Sequence, residues 1–223
     1  APIFILHDIR QAGVKYVDEF FDRLKKINLK NELVFELFQY ADEKYYKKIH
    51  DSVPKYSIEF TLETHDSKLR RLNSKFNCTN EKVIETMNFA LKHGCSKIDL
   101  FFMIGIPGQT HESALKNVEF CETIHNACNQ DSRIFYFVAP LAPFLDPASA
   151  AFEDPDKYGY KKLCHTLEDH RKAITQPSWK HMLSYETKEM TRDDIVSATY
   201  ESALLLNDFK LKYSLVNKES HLD

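Results

Sequence analysis

The sequence predicts an α/β protein built on a parallel sheet, and three observations carry that prediction. Short apolar, β-branched or aromatic runs alternate with helical patterns five times in succession. Strand starts near residues 2, 33, 56, 97 and 133 lie 23–41 residues apart, the size of a βα unit. Several runs (IFIL, DLFFMI, IFYFV) are apolar on nearly every residue, which predicts strands covered on both faces. An open doubly wound sheet and a full or partial barrel satisfy this alternation equally.

The elements follow in order. The first strand, Pro2–His7, precedes a stripe of Val14, Val17, Phe20, Phe21, Leu24 and Ile27 that predicts an amphipathic helix. After the second strand, Leu33–Phe38, Asp42 is placed to cap a helix that buries Tyr45, Tyr46 and Ile49. The third strand, Tyr56–Leu62, leads to Asp66, the cap of a short helix carrying Leu69 and Leu72. A longer helix runs from Thr79 or Asn80 to His93, where Gly94 stops it. Lys97–Ile104 is the fourth strand. A helix from Thr110 to about Cys128 buries Leu115, Val118, Cys121 and Ile124, and Arg133–Val138 closes the series.

Beyond Val138 the character changes. Residues 139–158 hold four of the eight prolines and read as a long loop. Helices alone are expected after it, about Gly159–Ile174 and Arg192–Leu206, the second capped by Thr191 with Asp193 and Asp194 in its first turn. Asn207–Val216 fits neither pattern. The chain also opens directly on a core-like strand, whose apolar edge invites association. A covering segment of the same protein, now missing, or a homodimer through that edge is therefore expected.

Composition excludes several functional classes. With 43% hydrophobic and 13% aromatic residues, the 223-residue chain is not disordered. Thirty basic residues against 33 acidic ones, net −3, give no electrostatic signature of nucleic-acid binding. No apolar run approaches the roughly 20 residues of a membrane helix, and the first residues lack the basic leader of a signal peptide. A cytoplasmic protein is expected. The cysteines at 78, 95, 121, 128 and 164 form neither a disulfide framework nor a zinc spacing, so they read as packed thiols. No metal site made by the protein alone is expected.

Parallel α/β folds carry their functional groups at the C-terminal ends of the strands. Those positions are His7-Asp8-Ile9-Arg10, Gln39-Tyr40-Ala41-Asp42, Glu63-Thr64-His65-Asp66, Gly105-Ile106-Pro107-Gly108-Gln109-Thr110 and Ala139-Pro140-Leu141-Ala142-Pro143. The fourth uses two of only five glycines, suiting either a close backbone approach to a ligand or a purely structural turn. No Walker-type Lys-Ser/Thr follows it. Glu63 reads as a ligand-facing carboxylate, as a helix cap, or as a salt-bridge partner of Arg70 or Lys75. Asp8 reads as a site residue or as the partner of Arg10.

Taken together, these strings resemble the radical S-adenosylmethionine superfamily, in the branch with an N-terminal cobalamin-binding domain. YSIEFTLETHDSKLRRLNSK is similar to the family's E-x-G-x-E-S…L-x-x-x-x-K segment, with Glu63 on its glutamate and Lys75 on its lysine. FFMIGIPGQTHES is similar to the G-[FL]-P-G-E-T turn, and IFILHDIR occupies the place of the F-x-D-D segment. The tail from Leu145 through Asp194 also resembles this branch, so the likeness spans nearly the whole chain. Gln109 departs from the usual glutamate, Thr61 from a glycine and Tyr40 from an arginine. The C-x3-C-x2-C loop that would bind a 4Fe–4S cluster is absent.

The resemblance implies a partial parallel (β/α) TIM-type barrel over residues 1–145, strands two to six of the family's barrel. Residues 146–223 would then be a C-terminal loop and helical extension. It implies a parent enzyme that cleaves S-adenosylmethionine reductively, with a 4Fe–4S cluster and with cobalamin held by an N-terminal domain as methyl carrier. His7 and Asp8 are then expected near the methionine end and Glu63 near the ribose. Gly105, Ile106, Pro107 and Gly108, with Val138, Ala139 and Pro140, are expected near the adenine. A small-molecule substrate is implied without its identity, and the chain alone is expected to be inactive. An unrelated barrel lyase or aldolase, or a non-enzymatic nucleotide-binding or scaffold domain, are the other readings; no lysine at a C-terminal strand end supports the former.

Overall fold

A computed structural model of the chain describes residues 1–27, 29–74, 77–140 and 144–216. Its first part runs β1 (Ile3–Ile5), α1 (Val14–Ile27), β2 (Leu33–Leu37), α2 (Glu43–His50), β3 (Tyr56–Glu63), α3 (Ser67–Leu72) and α4 (Asn80–Lys92). It continues with β4 (Ile98–Ile104), α5 (His111–Ala127) and β5 (Ile134–Pro140). The five parallel strands form one sheet in sequence order, β1-β2-β3-β4-β5. That order decides between the two architectures. A doubly wound sheet reverses direction at a switch point, whereas a barrel adds each strand beside the last. The fold is a partial TIM-type barrel.

Local chemistry places the helices as the sequence predicts. Asp42 accepts from the Tyr45 amide at 3.0 Å and starts α2, and Asp66 accepts from the Lys68 and Leu69 amides to start α3. Thr79 caps α4, and Gly94, at φ +78°, follows its end.

By packing, the chain forms two compact units, Ala1–Phe101 with Cys121–Phe137 and Phe102–Phe120 with Val138–Asp223. In the first, Leu33, Phe35, Leu37, Tyr56, Ile58, Phe60, Leu62, Ile98 and Leu100 are buried, together with Phe21, Tyr46 and Ile49 from the helices. The Phe21 ring lies 6.0 Å from Phe35. In the second, Ile104, Ala114, Leu145, Tyr160, Leu183, Tyr185, Met190, Ile195 and Ala198 form one cluster.

Two expectations are corrected. The strands are not covered on both faces: Val34, Glu36, Glu59, Thr61 and Phe101 alternate with the buried set and are half-buried, while Phe135 and Phe137 are exposed. The tail is not helical throughout. After α6 (Ala150–Glu153), strand β6 (Tyr160–Lys162) pairs antiparallel with β7 (Tyr185–Thr187), and between them lies α7 (Leu167–Ile174). The strand takes the place of the helix start expected near Gly159 because Tyr160 packs edge-on to Tyr185 at 5.3 Å. Thr166 then opens α7 with a capping box. The last helix, α8 (Arg192–Lys212), starts at Thr191 as expected and absorbs much of the unassigned segment after Leu206.

Candidate functional site

The strand ends of the first unit show what its sequence-predicted residues do. His7, at φ +63°, follows β1, and its amide donates to Glu36 Oε2 at 2.8 Å. Asp8 is buried and caps a short 3-10 helix, Ile9–Ala12. Its two carboxylate oxygens accept from Arg10 Nε at 2.8 Å and Nη2 at 2.5 Å, and Oδ2 also accepts from the Phe38 amide at 3.3 Å. Arg10 then donates to the carbonyls of Tyr40 at 2.6 Å and Gln39 at 2.7 Å. Burial works against the Arg10 charge, but the hydrogen bonds and charge of Asp8 outweigh it and leave the guanidinium above its ordinary value. Asp8 is thus a clamp joining the loops after β1 and β2, as its pairing with Arg10 anticipated.

Glu63 is the more unusual residue. It is buried, ends β3, and sits at φ +70°, a left-handed conformation rare for a side chain of this size. The Thr64 amide donates across it to the Leu62 carbonyl at 3.0 Å, closing a three-residue turn. Such strained turns persist only where their surroundings enforce them. Here Arg70, with no exposed surface, donates to the Thr64 carbonyl at 2.6 Å, and also to the Cys78 carbonyl and to Asn80 Oδ1. Lys75, the other partner considered for Glu63, lies outside the described residues.

The same unit holds a row of carboxylates that the sequence reading passed over. Glu36 pairs in register with Glu59. Burial, then Asp99 and Glu36, push the Glu59 carboxyl above its ordinary value, while Lys97 opposes the rise. Lys97 pairs with Asp99 Oδ2 at 2.6 Å, and Asp99 Oδ1 is buried without a hydrogen bond among the described residues. The clue was present: Glu36, Glu59 and Asp99 interrupt otherwise apolar strand runs.

In the second unit, the Gly105–Gly108 turn is held by its own surroundings. Gln109, fully buried, accepts from the Gly105 amide through Oε1 at 2.9 Å and donates from Nε2 to the Met103 carbonyl at 3.1 Å. The Gly108 amide donates to Glu189 Oε2 at 2.9 Å. Gly105 takes φ +85°, and a Cβ there would meet Ile195 Cδ1 at 3.1 Å. Glycine is required at this position by backbone and packing together. Ile106 is buried, and Thr110 accepts from the Ser113 amide at 3.2 Å to open α5. Val138 and Pro140 are half-buried and Ala139 is exposed on the last residues of β5, an apolar strip with no charged side chain.

These residues bear unequally on the implied cofactors. A buried carboxylate on a strained turn, Glu63, fits the hydroxyls of a ribose. The glycine turn already spends its Gly105 and Gly108 amides within the protein and offers a ligand mainly shape. The cysteines, at 78, 95, 121, 128 and 164, lack the C-x3-C-x2-C spacing of a 4Fe–4S site, and burial pushes Cys95 and Cys128 up to about 12 and also raises Cys78 and Cys164. Among the described residues, no three His, Cys, Asp or Glu side chains are grouped to hold a metal, and no helix is long and apolar enough to cross a membrane.

No family model matches the chain, and no curated protein matches it. Among solved structures it is similar to the radical S-adenosylmethionine methyltransferase TsrM from Kitasatospora setae, determined with cobalamin and a 4Fe–4S cluster bound. The TM-score is 0.58 at 10% identity, over 99% of this chain and 43% of that one. A second structure of that enzyme, with tryptophan substrate and the S-adenosylmethionine analogue aza-SAM, gives 0.55 at 9% identity, over 96% of this chain and 43% of that one. The chain therefore spans less than half the length of the enzyme it matches, and shares that part of its fold.

Proposed function

We propose that the chain is the barrel portion of a radical S-adenosylmethionine enzyme, with Glu63 receiving the ribose hydroxyls of S-adenosylmethionine. The single observation that carries this reading is the buried carboxylate of Glu63, held at a left-handed strand end in a fold shared with such an enzyme. The loop of His7 and Asp8 is assigned to the methionine end, with Asp8 fixing the loop through Arg10. The Gly105–Gly108 turn and Val138–Pro140 are assigned to the adenine. The cluster-binding segment is assigned to residues outside these 223, and cobalamin to a further domain. In such enzymes a 4Fe–4S cluster reduces S-adenosylmethionine to give a 5′-deoxyadenosyl radical.

Titration with S-adenosylhomocysteine, followed by amide chemical shifts, tests the assignment. Without a cluster to chelate the amino-acid end, binding on the order of millimolar is expected. Shifts should gather at the end of β3, on Leu62, Glu63 and Thr64, and Glu63→Gln should weaken them. Shifts confined to other residues, or equal binding by Glu63→Gln, would leave Glu63 as part of the architecture alone.

A further inference from the structure

In the second unit, a cleft of about 280 Å³ opens beside α7. The volume lies just below the range of drug-sized sites, which limits an occupant to a small molecule. Asp169, Lys172 and Ala173, spaced three and four apart, share one face of α7, and Gln176 follows just beyond its end. His181, in the short 3-10 helix Trp179–Met182, and Arg192, the first residue of α8, line the cleft as well.

The cationic groups of this lining are poorly paired within the chain. Arg192 makes no side-chain ion pair among the described residues: Glu186 instead accepts from the Arg192 backbone amide at 3.0 Å and from Lys161 Nζ at 2.9 Å. Arg192 Nε is buried, so an outside acceptor must meet the two Nη atoms, which are neither hydrogen-bonded among the described residues nor buried. Lys172 is exposed and comes only within 3.9 Å of Glu168, which Arg171 already holds through bonds of 2.6 and 2.7 Å. His181 has no side-chain hydrogen bond among the described residues. Asp169 is the carboxylate of the lining, and its Oδ2 accepts from the His165 and Thr166 amides at 3.0 and 2.9 Å. Those amides stabilise its charge, and Arg192 and Lys172 outnumber it.

We propose that this cleft binds the phosphate group of a small phosphorylated molecule. The two Nη atoms of Arg192 donate in parallel to two phosphate oxygens, and Lys172 and the His181 imidazole donate to the third. Donors from three separate elements suit three oxygens better than the two of a carboxylate. The body of the ligand, a few carbons, lies against Leu163 and Ala173. Occupancy ties α7 to the start of α8.

Calorimetry and amide shifts on the whole chain test this with propyl phosphate, with butyrate as a two-oxygen anion of similar body, and with butylammonium as a cation. Propyl phosphate should bind on the order of millimolar, at least about tenfold more tightly than butyrate, and should shift Leu163, Ala173, Gln176 and His181. Butylammonium should shift none of them. Arg192→Gln should weaken propyl phosphate about tenfold, the worth of one hydrogen bond to a charged group. That chain should be as stable as the parent, because the side chain bonds to nothing among the described residues. Lys172→Gln, at an exposed position, should weaken binding about threefold and decides the matter if Arg192→Gln does not fold. Lys157→Gln, which removes an exposed charge of the same unit outside the cleft, should leave affinity unchanged. Binding of none of the probes, butyrate as tight as propyl phosphate, shifts confined to other residues, or full affinity in Arg192→Gln and Lys172→Gln would overturn the proposal. An equal loss in Lys157→Gln would also overturn it, by showing a diffuse attraction of charge in place of a site.

Discussion

Arg70 donates to the carbonyl of Thr64 at 2.6 Å from a side chain with no exposed surface. Burial lowers the guanidinium from its ordinary value, so the charge is held against a desolvation cost. The bond fixes the residue immediately after Glu63, and two more acceptors, the Cys78 carbonyl and Asn80, depend on the same side chain. Arg70→Met keeps most of the volume and strands those acceptors. A loss of about 3 kcal/mol in urea unfolding is expected, with the amides of residues 62–66 exchanging faster than the rest of the unit. A loss below about 1 kcal/mol would show that the turn does not depend on Arg70.

The carboxylate row across β2, β3 and β4 gives a prediction about pH. Glu59 is raised by burial, Asp99 and Glu36, so the folded state holds its proton more tightly than the unfolded state does. Its contribution is therefore most favourable below the unfolded value and is lost as pH rises through the folded one. Glu59→Gln removes that loss. Its stability relative to the parent should improve as pH rises from about 4 to 7, read from denaturation midpoints at each pH. A relative stability that declines over the same interval would mean that the row is not repulsive.

Gln109 stands where the family it resembles usually has glutamate. Its amide both accepts from Gly105 and donates to the Met103 carbonyl. An ionised glutamate keeps the first bond, loses the second, and buries a charge beside a carbonyl oxygen. Gln109→Glu should lower stability by about 2 kcal/mol or more at about pH 7. Burial raises the new carboxyl, and the protonated form can donate, so the deficit should narrow on acidification to about pH 5. A deficit that stays constant with pH would show that Met103 does not need the donor.

Much of the first unit was legible because its signals are local. The caps at Asp42, Asp66 and Thr79 and the stop at Gly94 act within a turn of themselves, and each fell where the sequence placed it. Strand ends were legible too, since a run of apolar residues closes visibly at His7, Glu63 and Gly105. The β6–β7 pair was not. Tyr160 meets Thr187 in register only after an intervening helix and loop, and three-residue strands leave too little periodicity to read.

By itself the sequence determined the alternation of strands and helices, the residues at each strand end, and the lack of a cluster motif among its own cysteines. Tertiary structure decided what those residues do. It set Asp8 on Arg10, tied Arg10 to the Tyr40 carbonyl 30 residues away, turned Glu63 left-handed, and spent the Gly108 amide on Glu189, 81 residues further on. It also chose which strand face stayed open, and so aligned Glu36 with Glu59. Propensities and caps depend on neighbours along the chain, whereas these pairings depend on register and loop closure, which no short stretch of sequence encodes.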